Sequence, residues 1–534
     1  MVTSKFKIIS DPYDYLMTLE LSNLDQNVDR VQIEEEPDIS TFNEGQKKAF
    51  DMAVQMDKEF DSLDKPYDMG CITGPAGSGK TYVISKIVHY LLHHNPSLKI
   101  ATVGMTHKAT NVARLMSPFL PPPNYKDIPD RDFSALSRNI TRVRYSTAHS
   151  ILALIPKVEN RKQVWVPHPK FGDEPPLLEY DVVFVDEASM ADTSMTKHFY
   201  YWSDRVLIIF VGDKEQLPPV GMKQAPVFSK AVIRDCKINM VELTEVMRQA
   251  TNSPILYHAT AVREGKTYPD LTENLLAQDE KSFQVYLNTS ERPQDVVDCL
   301  WRIFNSPQYR ENTDYAKVIT WRNETELKWN NLFRGLYYGD EYGTEVNGKV
   351  ILPRIVPGEK LTLRAPWIKE TGVGDEIVFP NSAELEVISQ TVKTDTLHGT
   401  PIDYHKTRVA YMDPNTQMIK QDFIDVVTKE DQYKVEKKIR ELWDLSNAAY
   451  RKGDKKEGSQ LWRQKISLEN RFADITYPFA ATAHRAQGST YGYAIIAEYD
   501  GKDMKKWHET RPQYKPWKYV ALSRPKFGNI IILK

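Results

Sequence analysis

Short apolar runs alternate with stretches of helical periodicity between residues 41 and 250 of the chain. Runs of this kind, bounded by polar residues, suit strands of a parallel sheet that helices cover on both faces. The pattern therefore predicts an α/β domain over 41–250. Its predicted strands lie at 69–73, 100–105, 182–185 and 206–211.

Two segments interrupt this first α/β pattern. Residues 118–136 are rich in Pro and Asp, which indicates a surface loop. Residues from about 155 to 177 hold Val164, Trp165 and Val166 between polar and Pro-rich flanks. Such an arrangement is typical of a short β-hairpin that projects from the domain.

A second α/β pattern starts near residue 251 and is itself interrupted. Residues 340–430 carry short alternating runs rich in Gly, Pro, Val and Thr, which favour a small β domain. Residues 430–472 are charged and favour a helical hairpin that turns at 452–454. The strands predicted in the second α/β domain lie at 316–321, 494–497 and 530–533.

These patterns divide the chain into four predicted parts. The N-terminal part is polar and includes an acidic run, so we expect a tail or a loosely docked strap. The predicted parts are an N-terminal extension at 1–40, a first α/β domain at 41–250, a second α/β domain at 251–339 and 476–534, and an insertion at 340–475.

Composition places the chain in an ordinary class. Its 534 residues are too many for one hydrophobic core, and 41% hydrophobic with 27% charged residues is usual for a soluble globular protein. We find no apolar run of about 18 residues, as a membrane span would need, and no apolar signal core among the first residues. We therefore expect a cytoplasmic protein that is neither secreted nor membrane-bound.

Cysteine usage points to the same compartment. Cys71, Cys236 and Cys299 lie far apart without a CxxC spacing. They favour a reducing environment, argue against a zinc site or a disulfide framework, and are expected to be inert core thiols.

The net charge of −2 excludes a histone-like coat protein. It allows a local basic and aromatic channel, because acidic surface elsewhere can offset the charge of such a channel in the total.

The residues from 74 to 81 match the pattern G-x-x-x-x-G-K-[ST] in full, between a predicted strand and a predicted helix. In that context glycines let backbone N–H groups approach phosphates, and the helix N-terminus adds partial positive charge. The pattern predicts an ATP-binding loop in which Lys80 reaches the β- and γ-phosphates and Thr81 binds Mg²⁺. The loop residues are Gly74, Pro75, Ala76, Gly77, Ser78, Gly79, Lys80 and Thr81.

Polar side chains follow the next two predicted strands. Asp186 is expected to hold Mg²⁺ through water, and Glu187 to orient and activate the attacking water. On its own, such a pair of acids is as often part of a solvated loop. The ATP-binding loop upstream makes that alternative less favoured here. Gln216 stands where a side chain could sense the γ-phosphate, although an ordinary polar turn is the alternative.

In this order the motifs resemble those of superfamily 1 helicases. They are more narrowly similar to the RecD-like branch and to the Dda-type helicases of bacteriophages, over about residues 42 to 534. The further motifs that carry the resemblance are Gly-Asp-Lys-Glu-Gln at 212–216, Leu-Thr-Glu-Val-Met-Arg-Gln at 243–249, Ala-His-Arg-Ala-Gln-Gly-Ser at 483–489 and Tyr-Val-Ala-Leu-Ser-Arg at 519–524.

The resemblance implies two RecA-like domains with ATP in the cleft between them. It also implies a strand-splitting hairpin, or pin, in the first domain, and an SH3-like β-barrel with a helical arm inserted in the second. By the same resemblance, Gln46 is expected to recognise adenine, with a surface glutamine as the alternative. Gln487 and Gly488 are expected to face the phosphates.

Two arginines match those that stabilise charge on the transferring phosphoryl group, Arg248 and Arg524. A planar guanidinium offers paired donors to charge that spreads over three oxygens. Because Arg524 belongs to the second domain, the resemblance implies that hydrolysis requires the cleft to close.

Other matching residues are expected to contact a nucleic-acid strand. Hydroxyls, imidazoles and ammonium groups suit sugar and phosphate contacts that carry little sequence information. Thr147 and His149 could equally be capping and core residues, and Trp321 is a weaker candidate for base stacking, with buried core as its alternative. The candidate contacts are Thr106, His107, Lys108, Thr147, His149, Thr482 and His484.

The hairpin segment falls where Dda-type enzymes carry a pin with an aromatic tip. A ring at Trp165 could stack on the last base pair at the fork, and Pro156 would lie at the hairpin base. A Trp that only packs the hairpin is the alternative reading.

The leading hypothesis is a 5′→3′ DNA helicase that uses ATP and Mg²⁺, acts as a monomer on single-stranded and forked DNA, and meets replication or recombination proteins. Its direction follows from the resemblance to the phage branch alone. The alternatives are an RNA helicase, a single-strand translocase without strong unwinding, a P-loop small-molecule kinase, and a clamp that uses ATP only to bind.

Overall fold

The computed structural model describes residues 6–22, 33, 35–62, 64–120, 141–159, 162–168, 171, 174–246, 252–265, 273–347, 349–371, 374–412, 418–500 and 513–534. The chain divides into two compact units. The first unit comprises Met1–Ile155, Trp165–Glu326 and Ala480–Lys534, and the second comprises Pro156–Val164 and Leu327–Phe479.

The first unit contains a wholly parallel six-stranded sheet, and we call this sheet with its helices, over the described residues of 42–246, the first lobe. The strands in spatial order are Val143–Thr147, Ile100–Gly104, Val182–Val185, Leu207–Gly212, Met69–Thr73 and Ile238–Glu242. Every residue of Met69–Thr73, Val182–Val185 and Leu207–Gly212 is buried. Since helices cover both faces, these strands are apolar throughout, and the four strands predicted from the apolar runs are confirmed.

Helices on both sides complete the first lobe. They span Glu44–Lys58, Lys80–His94, His107–Leu115, Ala148–Ile151, Thr193–Tyr201 and Lys230–Asp235, with 3₁₀ turns at Pro176–Glu179, Ala188–Met190 and Pro226–Phe228.

A seven-stranded sheet in the same unit forms the second lobe, which we define as the described residues of 6–18, 252–326 and 480–534. Its strands in spatial order are Phe6–Ile8, Leu275–Ala277, Phe283–Asn288, Pro525–Leu533, Tyr491–Ala497, Ala316–Thr320 and Ala480–Thr482. Pairing is parallel from Phe283–Asn288 onward, and the first two strands join it antiparallel. The three strands predicted here are therefore confirmed. The helices of this lobe are Pro12–Thr18, Pro254–Glu264, Pro293–Phe304, Pro307–Glu311, Ala483–Ala486 and Tyr514–Leu522, with a 3₁₀ turn at Thr313–Tyr315.

The N-terminal segment docks firmly on the second lobe. Phe6–Ile8 adds the outermost strand of the sheet, and Leu16 in the following helix is fully buried. The Tyr13 hydroxyl accepts a hydrogen bond from the Asn288 backbone N–H at 2.9 Å, and the Arg302 guanidinium donates to the Leu16 carbonyl at 2.7 Å. The prediction of a tail or a loose strap is therefore wrong for residues 6–18, because a few buried apolar side chains anchor an otherwise polar segment.

The second unit is mostly antiparallel. Its main sheet has five strands in the order Ile419–Val427, Thr400–Met412, Glu384–Leu397, Lys360–Leu363 and Ile475–Thr476. Two small hairpins pair Thr344–Val346 with Lys349–Ile351 and Trp367–Thr371 with Gly374–Phe379. The predicted β-rich insertion is thus confirmed as antiparallel sheet, whereas an SH3-like barrel stays a prediction.

Two long helices follow the main sheet of the second unit. They span Gln432–Arg451 and Lys455–Asn470, so the predicted helical hairpin is confirmed. The turn between them contains Gly453 with φ of 87°, a left-handed conformation that favours glycine. A further helix spans Asn323–Tyr342.

The predicted β-hairpin consists of Leu154–Glu159 and Lys162–Pro167. Most of the predicted surface loop at 118–136 lies outside the described residues.

Two further expectations concern the cysteines and membrane-spanning helices. Cys71 and Cys299 are buried, and burial raises the pKa of Cys71 to about 12 and of Cys299 to about 11, as for unreactive core thiols. In the described part of the chain, we find no helix with the length and apolar content to cross a bilayer.

Candidate active site

Two glycines shape the phosphate-binding loop between the strand Met69–Thr73 and the helix Lys80–His94. Gly79, just before the helix, has φ of 81°. Gly74 is packed so closely that an added Cβ would lie 2.8 Å from the Leu243 carbonyl oxygen. Larger residues would distort the loop at both positions, so the glycines keep its backbone N–H groups free to face phosphate at the helix N-terminus.

Lys80 lies folded onto this loop. Its ammonium donates to the carbonyl oxygens of Gly74 at 2.7 Å and Pro75 at 3.0 Å. Burial lowers the pKa of Lys80, while Asp213 and the two acids at 186–187 oppose that shift. A cation held at the loop and poorly solvated is suited to meet phosphate oxygens.

Gln46 fastens the loop to the preceding helix. It is 0% exposed, so the alternative of a surface glutamine is wrong. Its backbone N–H and side-chain oxygen form a reciprocal capping box with Asn43, and its side-chain N–H donates to the Ser78 carbonyl at 3.1 Å. Contact with adenine stays a prediction.

Asp186 and Glu187 follow the buried strand Val182–Val185. Burial, and then the neighbouring Glu187, raises the pKa of Asp186 to about 6. Glu187 has φ of 53°, a left-handed conformation that costs a non-glycine residue about 1 kcal/mol or more. Strain of this kind persists where the surrounding structure fixes it.

These residues fit a magnesium ion. The two adjacent carboxylates repel each other, which contributes to the raised pKa of Asp186. A bound divalent cation would reduce that repulsion. Thr81, exposed at the helix start, offers a hydroxyl oxygen. Nucleotide-bound Mg²⁺ takes only one or two protein ligands, with phosphate and water supplying the rest. Among the described residues, we find no cluster of three His, Cys, Asp or Glu that could hold a metal ion.

Arg524 of the second lobe reaches the acids of the first. A guanidinium nitrogen lies 3.8 Å from a Glu187 carboxylate oxygen. The side chain is held by its own lobe, since it donates to the Val520 carbonyl at 3.2 Å and to the Ser523 hydroxyl at 3.0 Å. Arg248, the other predicted arginine, lies outside the described residues.

Gln487 joins the same two lobes. Its side-chain N–H group donates to the Ser189 hydroxyl at 2.9 Å, to the Gln216 side-chain oxygen at 3.2 Å and to the Leu217 carbonyl at 3.2 Å. The Leu217 side chain is fully buried in the apolar cluster of the second lobe. Gln216 is therefore more than a polar turn, because it carries a direct contact to the other lobe.

Gly488 of the second lobe packs against Ala109 of the first. It has φ of 73°, and an added Cβ would lie 2.8 Å from the Cβ of Ala109. The structure thus brings together the loop at 74–81, the acids and Gln216 with Gln487, Gly488 and Arg524.

Three groups of this interface escaped the sequence reasoning. The Tyr519 hydroxyl donates to the Asp213 carboxylate at 2.6 Å and accepts from the Ala76 backbone N–H at 2.8 Å, and Arg263 lies 3.3 Å from the same carboxylate. Tyr519 and Asp213 stand inside quoted motifs and could have been singled out there. Arg263 carries no sequence signal of its own.

Both predicted track threonines of the first lobe cap helices. Thr106 accepts from the Ala109 N–H at 3.1 Å, and Thr147 from the Ser150 N–H at 3.2 Å. Gly104 and Thr147 are register partners on adjacent parallel strands, so the two caps lie at the same edge of the sheet. Contact with a nucleic-acid backbone stays a prediction for both.

Lys108, the second residue of the first of these helices, forms an ion pair with Asp314 of the second lobe. Its ammonium also lies 5.1 Å from the ring centroid of Tyr491. His107, the first residue of the same helix, is half-buried. The predicted phosphate contact at Lys108 therefore coincides with a contact between the lobes.

The rings of His149 and Trp165 contact each other at a tilt of 45°, with centroids 3.9 Å apart. Burial lowers the pKa of His149 to about 4, so the imidazole is neutral at pH 7. Trp165 is the fourth residue of the second hairpin strand, and its half-buried ring packs against the core of the first lobe. This placement favours packing over a ring presented at the hairpin turn. Pro156 lies in the first hairpin strand.

Thr482 and His484 lie at the corresponding edge of the second lobe. Thr482 ends the strand paired in parallel with Ala316–Thr320, opposite Thr320. The His484 ring is 5.7 Å from the ring of Trp321, and burial lowers the pKa of His484. Trp321 is partly buried against the core cluster of this lobe, as its alternative reading expects.

Comparisons with known proteins agree with the nucleotide site. Residues 42–282 match the family model described as an AAA domain. A curated relative, the uncharacterized protein R530 of Acanthamoeba polyphaga mimivirus, is 22% identical over 81% of this chain and 89% of its own length.

Similar solved structures include Pif1 helicases. The one from Candida albicans has a TM-score of 0.40 at 12% identity, covering 92% of this chain and 94% of that chain. A Bacteroides Pif1 bound to ssDNA has a TM-score of 0.40 at 15% identity, covering 92% and 91%.

The complete phosphate-binding loop, the acids behind it and the AAA domain match agree on one chemistry. Residues 42–282 form the nucleotide-binding part of an ATP-hydrolysing enzyme.

Proposed function

We propose that this chain is an ATP-dependent DNA helicase of superfamily 1, of the RecD-like, Dda-type branch. It would move 5′→3′ on single-stranded DNA as a monomer and separate forked duplex at the hairpin. The observation that carries the proposal is the meeting of two lobes at one nucleotide site, where Gln487 and Arg524 of the second lobe lie against Gln216 and Glu187 of the first.

Each residue has a chemical task in this proposal. Lys80 binds the β- and γ-phosphates, and Glu187 orients the attacking water and takes its proton. Arg524 stabilises the charge that develops on the transferring phosphoryl group. Mg²⁺, held by Thr81 and Asp186, supplies neutralisation of the phosphate charge when bound.

Movement follows because the same two lobes carry the predicted track residues. ATP binding closes the lobes on each other, and hydrolysis lets them part. The ion pair between Lys108 and Asp314 supports this coupling, since opening the cleft would change a contact at the predicted track. Alternating grip would advance the motor by about one nucleotide per ATP.

The decisive experiment is unwinding of a forked duplex with either a 5′ or a 3′ single-stranded tail, under single-turnover conditions. The proposal expects strand separation from the 5′-tailed fork alone, with ATP and Mg²⁺ required. Unwinding from the 3′ tail would contradict the direction, and intact ATP turnover without unwinding would reduce the enzyme to a translocase.

The choice of track is tested separately. Backbone and base-face contacts tolerate both sugars, so an RNA helicase remains the alternative. Single-stranded DNA should stimulate ATP turnover more than RNA of the same sequence. Stronger stimulation by RNA would contradict the DNA assignment, and turnover indifferent to either polymer would favour a small-molecule kinase.

Trp165→Ala should slow unwinding while leaving ATP turnover on single strands near normal, if the hairpin splits strands. The side chain packs against His149 and borders a cavity of about 190 Å³, so truncation enlarges that space and weakens the hairpin base. Stopped-flow unwinding and phosphate release on the same preparations measure the two effects.

Trp165→Phe is the matched control, because it retains a ring against His149. Equal losses of unwinding and ATP turnover in Trp165→Ala, with a lower melting temperature, would show that Trp165 serves the fold and not the fork.

A further inference from the structure

Asp213 carries a buried charge that its own lobe does not satisfy alone. The residue is 0% exposed at the end of the strand Leu207–Gly212. Within the first lobe, the Glu215 backbone N–H donates to one carboxylate oxygen at 3.1 Å. A buried carboxylate needs further donors to offset its lost hydration.

The second lobe supplies those donors. The Tyr519 hydroxyl donates to one oxygen of Asp213 at 2.6 Å, and the Arg263 guanidinium lies 3.3 Å from the other. Arg263 is held from a different helix, Pro254–Glu264, so two separate elements of the second lobe converge on one carboxylate. Asp213 therefore accepts hydrogen bonds from two helices of the second lobe.

Tyr519 also contacts the phosphate-binding loop. Its hydroxyl accepts from the Ala76 N–H at 2.8 Å while it donates to Asp213, so both of its main hydrogen-bonding directions are used across the cleft. Burial, and then the Asp213 charge, raises the pKa of Tyr519, which keeps the donor proton in place at neutral pH. The ring is 1% exposed, so the hydroxyl has little freedom to turn elsewhere.

The same short segment carries the catalytic arginine. Tyr519 lies in the helix Tyr514–Leu522, and Arg524 follows that helix and bonds back to its Val520 carbonyl. Fixing Tyr519 against the first lobe therefore also fixes how far Arg524 extends toward Glu187.

We propose that Tyr519 is a positioning residue for ATP hydrolysis. Its hydroxyl, held between the Asp213 carboxylate and the Ala76 N–H, sets the closed alignment of the two lobes in which Arg524 meets the transferring phosphoryl group. The inference rests on the proposed role of Arg524 in hydrolysis, and it is independent of track and direction.

Tyr519→Phe removes only the hydroxyl and keeps the buried ring. ATP can bind the loop of the first lobe without help from the second, whereas the chemical step needs both. We therefore expect kcat for ATP, with saturating oligo(dT), to fall about tenfold, while KM for ATP changes by less than about threefold. Binding of a fluorescent ADP and the melting temperature should stay close to wild type.

Asp213→Asn tests the same bond from the other side. Asparagine retains an acceptor oxygen but loses the charge that attracts both donors of the second lobe. We expect a similar loss of kcat, and the double variant Tyr519→Phe/Asp213→Asn should be no slower than the slower single variant, because either change alone already disrupts the bond between Tyr519 and Asp213 that sets the alignment.

Tyr493→Phe is the matched control. Tyr493 is another buried tyrosine of the second lobe, 2% exposed, and its ring packs against Tyr315 and Phe283 of that same lobe. Its kcat should stay within about twofold of wild type, since the lost hydroxyl lies away from the cleft.

Three kinetic results would overturn the inference. They are a Tyr519→Phe kcat within about twofold of wild type, an equal loss in Tyr493→Phe, and multiplied losses in the double variant. Loss of ADP binding together with kcat would equally overturn it, because Tyr519 would then shape the loop and not the alignment. Failure of the proposed function looks different, since the wild-type protein itself would then show no turnover dependent on Lys80.

Discussion

Replacing Lys80 with alanine should lower ATP turnover by about 100- to 1,000-fold, judged from the loss of other preorganised charge-stabilising donors. The ammonium group lies on the loop carbonyls of Gly74 and Pro75. It is buried enough to lower the pKa of Lys80, so its charge acts through little water. Phosphate release with saturating Mg-ATP and single-stranded DNA measures the effect.

Lys86→Ala is the control for that experiment. Lys86 lies on the same helix, with its ammonium 5.5 Å from the ring centroid of Tyr82, and it faces no carbonyl of the loop. It should retain near-normal turnover. Should Lys80→Ala keep even a tenth of wild-type activity, the assignment of the ATP site would be wrong.

Arg524→Ala should lower kcat by about 1,000-fold with little change in KM for ATP, the behaviour of an arginine that acts mainly in the transition state. The guanidinium lies 3.8 Å from Glu187, yet it belongs to the other lobe. Arg524→Lys should recover little activity, because an ammonium lacks the planar pair of donors. Single-turnover hydrolysis separates this chemical step from nucleotide binding.

Lys526→Ala serves as the matched control for Arg524. Lys526 is an exposed cation two positions further along the chain, and its loss should leave kcat unchanged. Because Arg524 also donates to the Val520 carbonyl, melting curves of the variants must accompany the kinetics. A folded Arg524→Ala enzyme with kcat within threefold of wild type would remove Arg524 from the mechanism.

Four of the six strands of the first lobe and three of the seven of the second could be predicted from sequence, because burial on both faces leaves an uninterrupted apolar run. The strand Phe6–Ile8 could not, since only Phe6 of its three residues is buried and Ile8 is 60% exposed. Its place in the sheet depends on pairing with Leu275–Ala277, far along the chain. Local patterns carry no record of such a partner.

The same division holds for the site. The loop at 74–81 and the acids at 186–187 follow from local spacing, which sets how one strand and one helix meet. The contact of Tyr519 and Arg263 with Asp213 depends on how distant segments pack, so the sequence alone does not contain it. A threonine at a helix start can either cap the helix or contact a nucleic-acid strand. The sequence pattern therefore could not distinguish these two roles for Thr106 and Thr147.

The docked N-terminal segment has a consequence for any shortened form of the chain. A protein cut to begin at residue 42, where the AAA domain match starts, would keep the phosphate-binding loop. It would also bare the edge of Leu275–Ala277 and the apolar seat that Leu16 fills. An unpaired edge strand beside exposed apolar surface is a template for pairing between molecules. We therefore expect a chain without residues 6–18 to aggregate more readily through its second lobe than the longer chain does.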